Sequence, residues 1–465
     1  MEKSKRHVQL FLMCTIPVLI FSSIFAEPTM FSIFVFNLLP VRILLISFDL
    51  ILFILAFRKI NFKLLFKDWV FISLSAFILF SSISYFYTLD IRSYFSIMAF
   101  WGNLLLFYTL LFSFKEELRN VKNIIEKTYF VSFIVMLVAS ILTFIWYFYR
   151  YYYKGYWGPF RVSFFIADEN HYSIYILLAL FVCLYFLLTK KFNNKFLYTL
   201  IFLLSSIFFG LKSRSGFLAL LISIATFIFL YKFKIEKKRL YKLAPISIIF
   251  AGLLFGDLFF KPFTSTSSPI IYKNAPFDIL TTQNDIASAD SFSLSEADIK
   301  RFSKQTYFFD NLPLFLNEAS VKSHFALIYS SVNLGVQKPV FGWGLGSFNE
   351  ALDNNKELKY LYARYDPQAA NGGLYPAHSM YGQALAETGF VGLLLYLNFV
   401  LAIFYKFYQL FLSAKDFDSK IYYLTFFSVF AGSLVFTIFY NLHEEWFWVP
   451  MILGLFLVEK KELTS

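Results

Sequence analysis

Long apolar stretches, separated by short polar segments, run along almost the whole chain. Many approach the length of about 20 residues that a helix needs to cross the hydrocarbon core of a bilayer. They are too long and too uniformly apolar for the alternating strands of a membrane β-barrel, so the spans are expected to be helical. The pattern predicts an all-α polytopic membrane protein with about 12 transmembrane helices, at residues 8–26, 39–57, 68–87, 93–114, 127–148, 168–189, 196–211, 215–232, 242–260, 381–405, 420–440 and 445–459.

The apolar pattern is interrupted at length only once, by the largely polar residues 261–380. The interruption divides the chain into transmembrane helices 1–9 in residues 1–260, one large loop, and transmembrane helices 10–12 in residues 381–465. Within the loop, Val321–Lys338 predicts a helix that ends at Pro339, because proline cannot continue a helix.

Lysine and arginine indicate the orientation of the spans. If the N-terminus is cytoplasmic, every connection on that side carries at least two of these residues, as the positive-inside rule requires. The C-terminus is then also cytoplasmic, and the large loop lies on the opposite side. The first apolar run could also belong to a signal peptide, but Ile24-Phe25-Ala26 is a poor cleavage site, so we expect an uncleaved helix.

Composition excludes a soluble enzyme with a single anchor. The chain is 58% hydrophobic and only 15% charged, whereas soluble domains carry about 25% charged residues. The net charge of +12 is explained by lysines that retain cytoplasmic loops, and we expect no nucleic-acid partner. Cys14 and Cys183 lie far apart in apolar runs, so neither a disulfide framework nor a cysteine metal site is indicated.

Two cations lie in a tight turn on the non-cytoplasmic side. Lys212 and Arg214 interrupt the apolar stretch FFGLKSRSGFLAL, and Arg161 lies in another segment on the same side. Arginine suits a diphosphate because its planar fork donates two parallel hydrogen bonds, and lysine adds a point charge. The alternative is that these side chains reach lipid phosphates without a further role.

Four of the five histidines fall on the same side as these cations, namely His171, His324, His378 and His443. His378 lies where the large loop re-enters the membrane, and Tyr381 follows one helical turn later on the same face. A histidine with an unperturbed pKa of about 6.5 can accept a proton from an attacking hydroxyl. The alternative is a histidine that caps the helix or lies at the membrane interface.

Four segments of the chain share a further resemblance. In chain order they are RVSFFIADENHYS (161–173), FFGLKSRSGFLAL (208–220), KPVFGWGLGSF (338–348) and PAHSMYGQALAETGFVGLLLYL (376–397). Together they resemble the bacterial O-antigen ligase and O-antigen polymerase superfamily. The last segment differs at one position, because His378 is followed by Ser379 where the family usually has asparagine.

The resemblance implies a GT-C-like helical bundle in a bacterial inner membrane, with a periplasmic active site. It implies a glycan donor on undecaprenyl diphosphate and a sugar acceptor, which is lipid A core for a ligase or another lipid-linked repeat for a polymerase. Both types stay open here, as does a transferase that acts on proteins. A lipid-glycan flippase or transporter is the alternative from another class, but the cations crowd one face and no internal repeat is evident.

The resemblance also implies roles for particular residues. His378 would assist the acceptor hydroxyl and Arg214 would hold the diphosphate as it leaves. Lys322 and His324 are candidates for the basic residue that precedes the Pro339 segment in the family. The expected site is catalytic His378 and Arg214, with substrate-binding Arg161, Lys212, Asn170, Tyr381, Lys322 and His324.

No metal or other cofactor is expected, because cations can neutralise the charge that a departing diphosphate develops. The one Asp-x-Asp pattern, Asp416-Phe417-Asp418, falls in a cytoplasmic connection. The three glycines of FGWGLGSF predict a turn, since no βαβ unit surrounds them. Asp49 is ionisable within the second span, and either a functional role or an ion pair between helices is open.

Overall fold

The computed structural model describes residues 2–24, 31–33, 36–38, 40–154, 169–235, 244–264, 319–365, 377–441 and 445–457. These residues are almost entirely helical. Phe31–Ile33 (β1) and Phe36–Leu38 (β2) form one short antiparallel pair. The helices are α1 (Glu2–Ile24), α2 (Pro40–Ala56), α3 (Phe62–Leu65), α4 (Trp69–Ser82), α5 (Ile91–Ser113), α6 (Lys115–Asn120), α7 (Lys122–Lys154), α8 (Glu169–Leu188), α9 (Asn194–Gly210), α10 (Arg214–Leu230), α11 (Ala244–Thr264), α12 (Ala319–Gln337), α13 (Phe348–Asn354), α14 (Lys356–Tyr365), α15 (Met380–Ser413), α16 (Phe417–Phe436) and α17 (Glu445–Gly454).

The helical fold class is confirmed, and a helix lies at each of the 12 predicted spans. Within the described residues, seven helices are long and apolar enough to cross a membrane. Four more are apolar but shorter, in α1, α2, α9 and α11. The number of crossings and the side on which the loop lies therefore stay predictions.

Polar side chains start several of these helices. A side-chain oxygen accepts a hydrogen bond from the first-turn backbone at Asp68 for α4, Asp90 for α5 and Asn193 for α9. Asp416 does the same for α16 through the backbone N–H of Ser419 at 2.8 Å. A helix-capping role thus accounts for Asp416 in the Asp-x-Asp pattern.

Helix α8 lies at the centre of the bundle. Its apolar stretch is 89% buried within the protein, against 39% for the stretch Trp69–Phe86 that contains α4. It packs against α9, α10 and α16, and α10 in turn packs along α16. The first turn of α8 therefore lies where several helices meet.

Helix α15 is interrupted at Gly389, where φ is +67° and the backbone leaves the helical conformation. The carbonyl groups of Ala386 and Glu387 instead accept hydrogen bonds from the backbone N–H groups of Trp343 and Gly344, both at 2.9 Å. The segment after α12 thus supplies the donors that the interrupted helix lacks. The predicted helix Val321–Lys338 is confirmed as α12.

Gly342, Gly344 and Gly346 all have positive φ, at +70°, +103° and +80°. A Cβ on each would approach a neighbouring backbone to within 2.7 Å or less: Glu387 for Gly342, Thr88 for Gly344 and Tyr94 for Gly346. Only glycine fits both the conformation and the space. The predicted turn is confirmed, and residues 342–346, which we call the glycine segment, join α15 to the connection between α4 and α5.

Ion pairs lie at one end of the helical bundle, which we call the lysine end. Lys406 Nζ lies 2.5 Å from Asp68 Oδ2 and 2.6 Å from the Tyr108 hydroxyl. Lys191 likewise pairs with Glu126 at 2.6 Å. Part of the positive charge of this end is therefore neutralised within the protein.

Asp49 lies in α2 with no solvent exposure, and neither of its carboxylate oxygens has a hydrogen-bond partner. The ion pair between helices that was one of its two interpretations is thus not found among the described residues.

Candidate active site

The turn between α9 and α10 is tied to the start of α8. Ser213 caps α10 by accepting the backbone N–H of Gly216 at 3.1 Å, and Ser173 Oγ of α8 lies 3.3 Å from Ser213 Oγ. Gly216 allows this approach, because a Cβ there would lie 2.1 Å from Ser173 Oγ. Ser173 donates its hydroxyl proton to the carbonyl oxygen of Asn170 at 2.6 Å. The turn and the first turn of α8 are therefore held together.

Lys212 and Arg214 flank the capping serine and are both exposed. Lys212 has a φ of +55°, which reverses the chain between the two helices. Arg214 is the first residue of α10, where the helix dipole already contributes positive potential. A cation at that position does not stabilise its own helix, but it adds to a potential that attracts anions.

Two of the predicted histidines lie against each other at the same end of the bundle. The ring centroids of His324, in α12, and His378, just before α15, are 4.0 Å apart. The ring of Tyr440 lies 5.3 Å from each of them. Both histidines are half-buried and Tyr440 is buried. We call this end of the bundle the histidine end.

Tyr440 connects the histidines to α8. Asn170 Nδ2 donates a hydrogen bond to the Tyr440 hydroxyl oxygen at 2.5 Å. The hydroxyl lies 3.4 Å from His324 Nε2. Because the tyrosine oxygen accepts from Asn170, its own proton is available for His324. Asn170, Tyr440 and His324 thus form one chain of polar contacts.

The local sequence fixes the position of His378. Its φ is +46°, and the next residue, Ser379, caps α15 by accepting the backbone N–H of Gly382 at 3.1 Å. The backbone N–H of Met380 donates to the carbonyl oxygen of Thr437 at 3.0 Å. The start of α15 is thereby anchored at Thr437, which follows the end of α16 and lies three residues before Tyr440.

Tyr381 takes part in the same anchor. Its hydroxyl donates to the carbonyl oxygen of Leu434 at 3.0 Å and accepts from Thr437 Oγ1 at 2.9 Å. The Tyr381 hydroxyl therefore contributes to the packing between α15 and α16, and the substrate-binding role of Tyr381 stays a prediction.

A second polar chain runs behind the histidines. His171 Nε2 lies 2.9 Å from the carbonyl oxygen of Asn441, so this nitrogen must carry the proton. Asn441 Nδ2 donates to Gln383 Oε1, and Gln383 Nε2 donates to Glu387 Oε1 at 2.9 Å. The backbone of the glycine segment hydrogen-bonds to the Glu387 carboxyl group. This chain links α8, α16 and α15 to the large loop.

The structure brings three predicted residues together, namely Asn170, His324 and His378. It links Arg214 and Lys212 to them through Ser213 and Ser173. Lys322 lies two residues before His324 in α12 and is half-buried. Arg161 and His443 lie outside the described residues.

Sequence reasoning missed Tyr440 and Asn441. Both occur in FYNLHEEW, where an apolar span ends on polar residues next to His443. That change from apolar to polar was the available signal. It did not show that this span ends beside His378.

The fold and this site define a multi-pass helical membrane protein with histidines and exposed cations at one end of its bundle. Residues 198–397 match the family model described as O-antigen ligase. The match spans the Lys212–Arg214 turn, α12, the glycine segment and His378. Residues 198–397 are thus similar to the O-antigen ligase family, and the resemblance to the O-antigen ligase and polymerase superfamily is confirmed. No curated protein matches the chain.

The family indicates a glycan-transferring enzyme of the O-antigen ligase or polymerase type, with lipid-linked glycan substrates. No group of three or more His, Cys, Asp or Glu side chains arranged to hold a metal occurs among the residues that the structure describes. The expectation of a metal-independent reaction stays a prediction.

Proposed function

We propose that the protein is an inner-membrane glycosyltransferase that moves a glycan from undecaprenyl diphosphate to a sugar hydroxyl on the periplasmic face. The observation that carries the proposal is the pairing of His324 with His378 beside Tyr440, at the end of the bundle where Arg214 starts α10. The termini would be cytoplasmic, and residues 261–380 would form the periplasmic loop between the two groups of transmembrane helices.

In this proposal, the cations bind the diphosphate of the glycan donor. As the bond between the glycan and the diphosphate breaks, negative charge develops on the leaving phosphate oxygen. Arg214 and Lys212 are exposed beside the positive end of α10, so they can neutralise this charge without a metal. Arg161 is proposed to bind the same diphosphate.

The histidine pair acts on the hydroxyl group of the sugar acceptor. His378 takes the proton of the attacking sugar hydroxyl as the new glycosidic bond forms, and His324 orients His378. Two imidazolium rings as close as these would repel each other, so the pair favours a state in which at least one ring is neutral and can accept a proton. Asn170 and Tyr440 hold His324 in place, and Lys322 is proposed to contact the acceptor.

The experiment compares transfer of a lipid-linked glycan by purified variants in lipid nanodiscs. We expect His378→Ala and Arg214→Ala to lower the turnover rate by about 100-fold or more. Arg214→Lys should retain part of the activity, because it keeps the charge but loses the fork. Lys195→Ala, an exposed cation at the first turn of α9, is the matched control and should be fully active.

Full transfer by both His378→Ala and Arg214→Ala would refute the proposed site. The subclass is read from the lipopolysaccharide of a strain that lacks the protein. Cores with a single repeat would indicate a lost polymerase. Bare cores with accumulated lipid-linked polymer would indicate a lost ligase.

A further inference from the structure

Helix α12 belongs to the segment that the sequence assigns to the large loop, yet it runs alongside the start of α15. Gly382 of α15 lies against Ser331 of α12, and Gly389 lies against Val340, just past the end of α12. Residue numbers rise together along both helices, so the two run in the same direction. The tip of this element, Pro339–Phe341, therefore points from the histidine end toward the lysine end.

The depth of the tip follows from the two helices that it contacts. Phe341 stacks on Phe80 of α4 with centroids 5.8 Å apart, and Gly392 of α15 lies next to the same Phe80 ring. Phe80 follows Asp68, and Gly392 precedes Lys406, by about 12 to 14 residues, or about 18 to 21 Å of helix. Asp68 and Lys406 form the ion pair of the lysine end. We take this pair to mark the membrane boundary at that end, because charged groups are costly within the hydrocarbon core.

The hydrocarbon core of a bilayer is about 30 Å thick. A point that lies about 20 Å along the helices from one boundary is still about 10 Å inside the other. Tilt of the helices shortens the projected distance and places the tip deeper. The tip of the element is thus expected within the leaflet at the histidine end, below its headgroups.

The outward surface of the element carries an apolar stripe, beside the exposed side chains of Gln337 and Lys338. Tyr329, Val332 and Val336 follow one another at helical spacing on α12 and are 37%, 42% and 59% exposed. At the tip, Val340 and Phe341 are 51% and 47% exposed. The opposite side of α12 packs on α15 and α14. An apolar stripe of this length on a surface is typical of contact with lipid or with another protein.

This stripe is continuous with the outward surface of two candidate membrane spans. Leu79 and Ile83 on the span Trp69–Phe86 are exposed beside Phe80, and Phe390 and Leu394 on α15 are exposed just beyond the tip. The backbone N–H of Phe390 donates to Pro339 at 2.7 Å, so the surfaces adjoin. Lipid that covers these spans necessarily reaches the tip.

The segment that follows the tip is not helical, and its backbone polar groups are hydrogen-bonded within the protein, as non-helical backbone inside a membrane requires. Such backbone is tolerated only where its polar groups are satisfied within protein. Gly342 N–H donates to the carbonyl oxygen of Lys338 at 3.0 Å, and Trp343 and Gly344 donate to α15. Residues 344–348 are buried.

Lys338, at the tip, is the one charged residue of this element between residues 323 and 349. Its ammonium group lies 3.8 Å from the centre of the Trp343 ring, an arrangement that compensates part of the cost of a cation near lipid. Its long side chain can also extend along the element toward the headgroups.

We propose that α12 and Pro339–Phe341 form a re-entrant element, whose apolar face contacts the acyl chains of the leaflet at the histidine end. The large loop is then not wholly aqueous. Its second half is inserted beside α4 and α15 and holds His324 at the membrane surface. The inference rests on packing and exposure alone and is independent of the proposed reaction.

The test uses spin labels at single cysteines in the full chain, with Cys14 and Cys183 replaced by alanine, in phosphatidylcholine nanodiscs. Labels go on Val336→Cys and Val340→Cys, with Val332→Cys as the substitute if either variant fails to fold. Leu394→Cys, which is 65% exposed on α15, is the lipid control. Asn354→Cys, exposed at the end of the polar helix α13, is the aqueous control.

We expect the labels on the element to match Leu394→Cys, with frequent collisions with oxygen and few with a water-soluble nickel chelate. Collision with the nickel chelate as frequent as at Asn354→Cys would show an aqueous surface and overturn the proposal. Low collision with both reagents, with dipolar broadening between labels, would show that a second copy covers the stripe and would also overturn it.

Discussion

The imidazole rings of His324 and His378 lie with their centroids 4.0 Å apart, although one comes from the middle of the large loop and the other from its end. Close contact between two titratable rings makes them act as a unit, so their contributions to a reaction should not add. The pairing also explains why the loop has to pack on the membrane helices. Without α12 against α15, the site has only one of its histidines.

The first prediction concerns this pair. We expect His324→Gln and His378→Gln each to lower the turnover rate, the latter by about 100-fold, because His378 accepts the proton in the proposed reaction. The double variant should be no slower than His378→Gln alone, since His324 acts through His378 in that proposal. Initial rates of glycan transfer at saturating donor, compared between the wild type, the two single variants and the double variant, measure this coupling. Multiplicative losses in the double variant would contradict the coupling.

The second prediction concerns Tyr440. Tyr440→Phe removes the hydroxyl between Asn170 and His324 but keeps the ring that stacks on Phe436 at 5.1 Å. We expect about a 10-fold lower turnover rate, the value of one lost hydrogen bond, with an unchanged KM for the donor.

A background that lacks His324 provides the control for this prediction. In His324→Gln, the further change Tyr440→Phe should have no effect on the rate, because the hydroxyl has lost the group that it positions. An equal 10-fold loss in both backgrounds would indicate that Tyr440 acts through general stability instead. The melting temperature of each variant separates the two explanations.

The third prediction concerns the glycine segment, for which the chain offers a matched control. Gly344→Ala would force a φ of +103° on an alanine and place its Cβ 2.6 Å from the Thr88 Cα, so we expect a loss of at least about 2 kcal/mol in stability. Gly102→Ala, within α5, meets nothing within 4 Å and should be neutral or stabilising by up to about 1 kcal/mol. Thermal unfolding in detergent measures both, and equal melting temperatures would refute the joining role of Gly344.

Hydrophobic patterning predicted much of the fold because lipid allows few backbone conformations. A helix lies at each predicted span, and α12 ends one residue before its predicted end at Lys338. Patterning did not show the break in α15 at Gly389. That break depends on donors from Trp343 and Gly344, which are distant in sequence, and one span cannot reveal them.

The candidate site was predictable only in part. Composition and motif placed His378 and Arg214 at membrane surfaces, but pairwise contact depends on how helices pack. Tyr381 illustrates the limit, because helical spacing put it on the face of His378 while Thr437 and Leu434 hold its hydroxyl between helices. Tyr440 illustrates the opposite case, a site residue that sequence reasoning missed. Its partners Asn170 and His324 lie in α8 and α12, which are distant from it in sequence.

The last prediction compares one substitution at two buried carboxylates. Asp49→Asn replaces an ionisable carboxyl group, which has no exposure and no hydrogen-bond partner, by an amide that cannot ionise, so we expect stability to rise by up to about 1 kcal/mol. Asp68→Asn weakens the contacts to Lys406 and Tyr108 and leaves a cation without its counter-charge, so stability should fall by about 1 to 3 kcal/mol. The substitution is chemically identical, and only the environment sets the sign. A fall in the melting temperature for Asp49→Asn would mean that the carboxyl group has a partner in the membrane, and a parallel loss of transfer activity would assign that partner to the reaction.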